Sequence, residues 1–137
     1  MDVRILLLQA RHRDDPAKDE ERFSFANRLG LSEVQVVPHD LLSGPPTLRE
    51  IQGSDVLIIG GTSDFYVSKG DLPNFQELLQ LLVGVVDVGH PTFASCCGFH
   101  CLVEALGGKI VHDPSHSEVG IYQLTLILHG KADPLLK

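Results

Sequence analysis

The chain has 137 residues, of which 43% are hydrophobic, 21% charged and 6% aromatic, with 11 Lys+Arg against 18 Asp+Glu for a formal net charge of −7. That composition predicts one globular domain over residues 1–137 with a real core and excludes a disordered or fibrous chain. The acidic balance offers no basic stripe to neutralise a row of phosphates, so nucleic acid is not an expected partner.

The mainly apolar stretches near 78–88 and 121–128 are too short and too interrupted to span a bilayer, and no membrane association is expected. Met1 to Leu8 lacks a basic n-region and a small-residue cleavage site. The three cysteines, Cys96, Cys97 and Cys101, crowd into one stretch rather than spacing out as a disulfide framework. A cytoplasmic chain with reduced thiols is therefore expected.

In chain order, Val3 to Leu8 is an aliphatic run interrupted only by Arg4, the pattern of a strand buried on both faces. A polar loop from Ala10 to Pro16 precedes a helix from Ala17 to Leu29, with Phe23, Ala26 and Leu29 at helical spacing and Gly30 as its stop. A short strand is expected at Val34 to Val37 and a loop from Pro38 to Pro46. Thr47 then caps a short helix through Ile51, with Glu50 completing a capping box. Ser54 to Ile59 reads as a third strand running straight into Gly60-Gly61, and Leu72 to Val88 as a helix burying Phe75, Leu78, Leu79, Leu82 and Val86.

Pro91 to Ser95 reads as a further strand that turns at once into a helix from Gly98 to Leu106, ended by Gly107-Gly108. Lys109 to Val111 and the alternating stretch Ile121 to Leu128 are expected as last strands. Alternating strands and helices predict an α/β fold: an open, mostly parallel sheet in three layers with right-handed crossovers. In such a sheet ligands bind beyond the carboxyl ends of the strands, where Gly60-Gly61 and Cys96 both fall.

A strand-to-helix turn can hold one side chain exposed above a helix N-terminus, where a thiolate is stabilised, and Cys96 occupies that position. The alternative reading of Cys96 is a buried, inert core thiol. Cys96, Cys97, His100, Cys101, His112 and His116 contain enough ligands for zinc, but no Cys-x-x-Cys pair is present and Pro114 breaks the 112–116 segment. No metal is expected.

Ala94-Ser95-Cys96-Cys97-Gly98-Phe99-His100 resembles the nucleophile elbow of class I glutamine amidotransferases, Gly-x-Cys-x-Gly-x-Gln. Ala105-Leu106-Gly107-Gly108, Glu118-Val119-Gly120-Ile121-Tyr122 and Val56 to Gly61 resemble the family's segments in the same order. The resemblance implies a flavodoxin-like sheet, truncated at its C-terminus, with Cys96 attacking the side-chain amide of glutamine to form a glutamyl thioester and release ammonia. It implies an oxyanion hole from Cys97 and the Gly60-Gly61 turn, and contacts to substrate at Gly98 and His100. Glutamine is then the substrate, a synthetase domain or subunit the ammonia acceptor, and no organic cofactor is needed.

His100 stands where the family has glutamine, and the family's catalytic His-x-Glu, in a C-terminal part that Ala132-Asp133-Pro134-Leu135-Leu136 begins, is expected to lie outside this chain, with no His-x-Glu anywhere within it. The rival expectation is a truncated or degenerate relative that keeps the fold for binding or assembly. A truncated sheet would leave an open edge and an uncovered apolar face, so a homodimer or poor stability is expected. Asp64, Tyr66 and Ser68, in the loop after the glycine turn, are candidates for substrate contacts.

Overall fold

The computed structural model describes residues 2–123 and 125–134. Four strands form one all-parallel sheet in the order β2-β1-β3-β4: β1 is Ile5–Ala10, β2 Val36–Asp40, β3 Val56–Thr62 and β4 Thr92–Ala94. The aliphatic runs end up where their lack of alternation predicts: β1 and β3 lie at the centre, and Leu7, Leu8, Leu57, Ile58 and Ile59 are all buried.

The helices follow local signals closely. Helix α1 spans Ala17–Leu29 and stops where Gly30 adopts φ 66°, a left-handed cap that only glycine takes without strain. Helix α2, Leu48–Gln52, opens on the Thr47–Glu50 capping box, and Thr47 and its own amide hold the Glu50 carboxyl below the usual carboxylate range. Helix α3 spans Phe75–Asp87 and α4 spans Cys97–Ala105.

Topology decides which face each helix covers. The chain moves one way from β1 to β2, then returns past β1 to β3 and on to β4. Right-handed crossovers therefore put α1 on one face and α2 and α3 on the other. On the α3 face, Leu8, Leu57 and Ile59 meet Ile51, Leu78, Leu82, Val85 and the cysteines of α4. Fully burying a side chain such as Leu78 or Leu82 stabilises by about 1.5–3 kcal/mol each, which makes this face the main core.

On the other face α1 contributes only Ala26 as a fully buried residue, against Ile5, Leu7, Val36 and Ile58. Beside α1 an open groove of about 740 Å³ runs over β3 and β4 and leaves Phe93 54% exposed.

Several expectations need correction. Strand β2 begins two residues later and runs through Asp40, because Glu33–Gln35 form a 3-10 turn capped by Ser32. Phe23 and Leu29 are exposed, since α1 offers the sheet a narrow strip, and in α3 the buried residue is Val85 while Val86 faces out. Lys109 to Val111 and the described part of Ile121 to Leu128 form no strand. Alternation predicts a strand only where a neighbouring strand and a face to cover exist, and here Val119, Ile121 and Ile127 lie exposed. Leu128–Ala132 instead form a short helix, α5. Leu124, Leu135 and Leu136, which those expectations also included, lie outside the described residues. Among the described residues no helix is long and apolar enough to cross a membrane.

Candidate active site

The carboxyl end of β4 builds the turn that carries Cys96. The Ser95 amide donates to the Ile59 carbonyl at 2.9 Å, prolonging the β3–β4 ladder by one step. The Gly98 amide then donates to the Ser95 carbonyl at 2.9 Å and the His100 amide to the Cys96 carbonyl at 3.1 Å, closing the first turn of α4. Between ladder and helix Cys96 is forced to φ 53° and ψ −117°. A side chain in that region costs roughly 1–3 kcal/mol of strain, and such residues cluster at functional sites.

The strain has a visible cause. A β-carbon on Gly98 would run into the carbonyl oxygen of Ile59, so α4 can begin this close to β3 only with glycine there. The closeness leaves Cys96 exposed while Cys97 and Cys101, one turn apart, point into the core. The contact with Cys97 and burial together push the Cys101 thiol far above the usual thiol range. Of the three thiols, only Cys96 faces solvent.

Cys96 opens onto a cavity of about 260 Å³ shared with Thr62, Tyr66, Cys97, His100 and His112. Ser63 and Ser68 also line it. Asp64 does not; it turns toward His12, with 3.7 Å between Oδ2 and Nε2. His112 reaches the cavity from the segment after α4 and packs edge-on against Tyr66, with ring centroids 6.3 Å apart. The sequence marked it only as a possible zinc ligand, not as a neighbour of Tyr66 and Cys96. Cys97 opens α4, where the first amides of a helix find no carbonyl within the helix to bind.

The glycine turn holds a residue that the sequence did not single out. Gly60 and Gly61 are buried at the end of β3, and the Gly61 amide donates to Glu21 Oε1 at 2.7 Å. A β-carbon on Gly60 would sit 2.6 Å from Glu21 Oε2, so this glycine makes room for a carboxylate of the protein itself. Glu21 also accepts from Gln9 Nε2 at 2.9 Å and from Arg11 Nε and Nη2, each at 3.4 Å. Arg11 in turn donates to Asp15 Oδ2 at 3.2 Å and Ser63 Oγ at 2.8 Å. Burial works against the Arg11 charge, but Glu21 and then Asp15 outweigh it and raise its pKa. The Ala17 amide, the Ser63 hydroxyl and Arg11 hold the Asp15 carboxyl below its usual range.

A base is the part that the geometry does not assemble. Among the described residues no hydrogen bond joins the Cys96 thiol to an imidazole, although His100 and His112 share its cavity. The expectation that no His-x-Glu lies in this chain is corrected by the sequence itself, since His116-Ser117-Glu118 has that spacing. The pair is not brought to Cys96: His116 Nδ1 bonds Asp113 Oδ2 at 2.7 Å on an exposed turn, outside the residues that line the cavity. Among the described residues no group of three or more His, Cys, Asp or Glu side chains is arranged around a metal-sized point.

Fold and site together define an α/β protein with a parallel sheet and an exposed cysteine on a strained strand-to-helix turn. Comparison with protein-family models, with curated proteins and with solved structures gave no match to this chain.

Proposed function

We propose that the chain is a class I glutamine amidotransferase-like domain of flavodoxin-like topology in which Cys96 is the nucleophile. The observation that carries the reading is the conformation of Cys96, φ 53° and ψ −117°, exposed between β4 and α4 above a cavity. The strand order β2-β1-β3-β4 supports it, being the first four positions of the flavodoxin order.

In this reaction the Cys96 thiolate attacks the side-chain carbonyl carbon of glutamine. The carbonyl electrons move onto oxygen, where the Cys97 amide stabilises them. Collapse breaks the C–N bond as the nitrogen takes the proton that the base had removed from the thiol; ammonia leaves, and water opens the remaining γ-glutamyl thioester to glutamate and free thiol. The ammonia would pass to a synthetase domain or subunit, and the base that activates Cys96 would come from outside the described residues or from His100 or His112 at the cavity.

A second reading has its own support. The Gly61 amide is occupied by Glu21 and, among the described residues, no imidazole is bonded to the thiol, which fits a relative that keeps the fold for binding or assembly. Incubating the chain with glutamine and measuring ammonia separates the two. Release above the Cys96→Ala background supports the amidase; equal rates from both proteins support the binding domain.

A further inference from the structure

In a sheet ordered β2-β1-β3-β4 the connections diverge between β1 and β3, and the crevice at the carboxyl ends of those two strands is where an open α/β sheet receives its ligand. Here that crevice is filled from within. Gln9 and Arg11 come from the end of β1, Gly60 and Gly61 from the end of β3, and the Glu21 carboxylate from α1 lies between them.

The point where a Gly61 β-carbon would stand is 3.5 Å from Glu21 Oε1, 3.1 Å from Arg11 Nη2 and 3.6 Å from Cys96 Cβ. Gly61 therefore stands between the Cys96 β-carbon and the Glu21 carboxylate. An N–H donor, a guanidinium and a primary amide converge on a carboxylate as they would on a bound anion.

We propose that Glu21 is a positioning residue that occupies the oxyanion side of the Cys96 site in the resting chain. Its carboxylate holds the Gly61 amide that a tetrahedral oxyanion would need. Attack on a carbonyl then requires Glu21 to give up that amide, with Arg11 retaining the displaced charge. The inference rests on the reading of Cys96 as an acyl-transfer nucleophile and names a gate for that site. The other charged and titratable groups facing it are Arg11 and Asp15 from the segment after β1, Cys97 and His100 from α4, Tyr66 from the segment after β3, and His112.

Two readouts test this without requiring glutamine turnover. In the native chain the Gly61 amide proton should lie well downfield, as an N–H bonded to a carboxylate does, measured by NMR. Glu21→Gln should move it upfield, because a neutral amide oxygen is the weaker acceptor. With the Gly61 amide less firmly held, acylation of Cys96 by an activated ester, which passes through an oxyanion, should rise about threefold in Glu21→Gln. Alkylation by iodoacetamide, which forms no oxyanion, should rise less.

If Glu21→Gln does not fold, Glu21→Asp keeps the charge but retracts it, and the Gly61 proton should move upfield in the same way. A Gly61 proton at an ordinary amide shift in the native chain, or acylation of Cys96 no faster in Glu21→Gln than in the native chain, overturns the proposal. Absence of ammonia release from the native chain would count against the amidase reading alone and is measured separately.

Discussion

The two faces of the sheet are built from the same strands and end up unlike each other. The α3 face is closed by three helices and buries the larger cluster, with Leu57, Leu78, Leu82 and Val85 almost wholly removed from water. The α1 face is half covered, its groove of about 740 Å³ lined by Val3, Phe25, Leu31, Val56 and Phe93. Both faces reach the Cys96 site, but they supply different things. The closed face supplies rigidity, since packing of α4 against β3 sets the Cys96 backbone. The open face supplies charge, through Glu21 on α1. Strain is thus held by the part of the molecule with the most packing behind it, and the polar groups come from the part with the least.

If that division is right, substitutions on the two faces should differ widely in cost. Leu82→Ala, on the closed face, should destabilise by roughly 2–5 kcal/mol in denaturant unfolding, from lost transfer energy and a cavity that the helices cannot collapse. Gly98→Ala should cost about 1–3 kcal/mol by forcing α4 off Ile59, and should slow Cys96 alkylation in proportion to the loss of the elbow. Cys96→Gly should go the other way: releasing the strained φ should stabilise by about 1 kcal/mol relative to Cys96→Ala while removing the thiol. Phe93→Ser, on the open face, should change stability by no more than about 0.5 kcal/mol, because its ring is already half in water. A large effect at Phe93 would break the comparison, for it would mean that the groove is covered in solution.

Much of this architecture was legible in the sequence because it depends on local rules. Gly30 had to end α1, Thr47 and Glu50 had to cap α2, and an unbroken aliphatic run such as Val56 to Ile59 suits only a central strand. The strand-to-helix turn at Cys96 was legible too, as a Cys-x-Gly directly after a short apolar run. What failed was whatever needs a distant partner. Ile121 to Leu128 alternates as a strand should, yet alternation cannot say whether a sheet edge is waiting for it.

Glu21 was hidden for a similar reason. It stands in the charged run from Arg11 to Arg22, which reads as a solvated face, and its partner Gly61 lies 40 positions away. One hint was available. Gln9 closes an aliphatic strand and is buried, and a buried amide at a strand end needs a polar partner, which Glu21 provides.

The most direct test of the account is to identify which thiol reacts with a glutamine-analogue diazoketone. Peptide mapping by mass spectrometry should place the adduct on Cys96 alone, and excess glutamine should protect it. Cys97 and Cys101, buried in the closed face, should stay unmodified in the folded chain. An adduct spread over the three cysteines, or labelling that glutamine does not slow, would contradict the claim that this turn is a site built for a glutamine carbonyl.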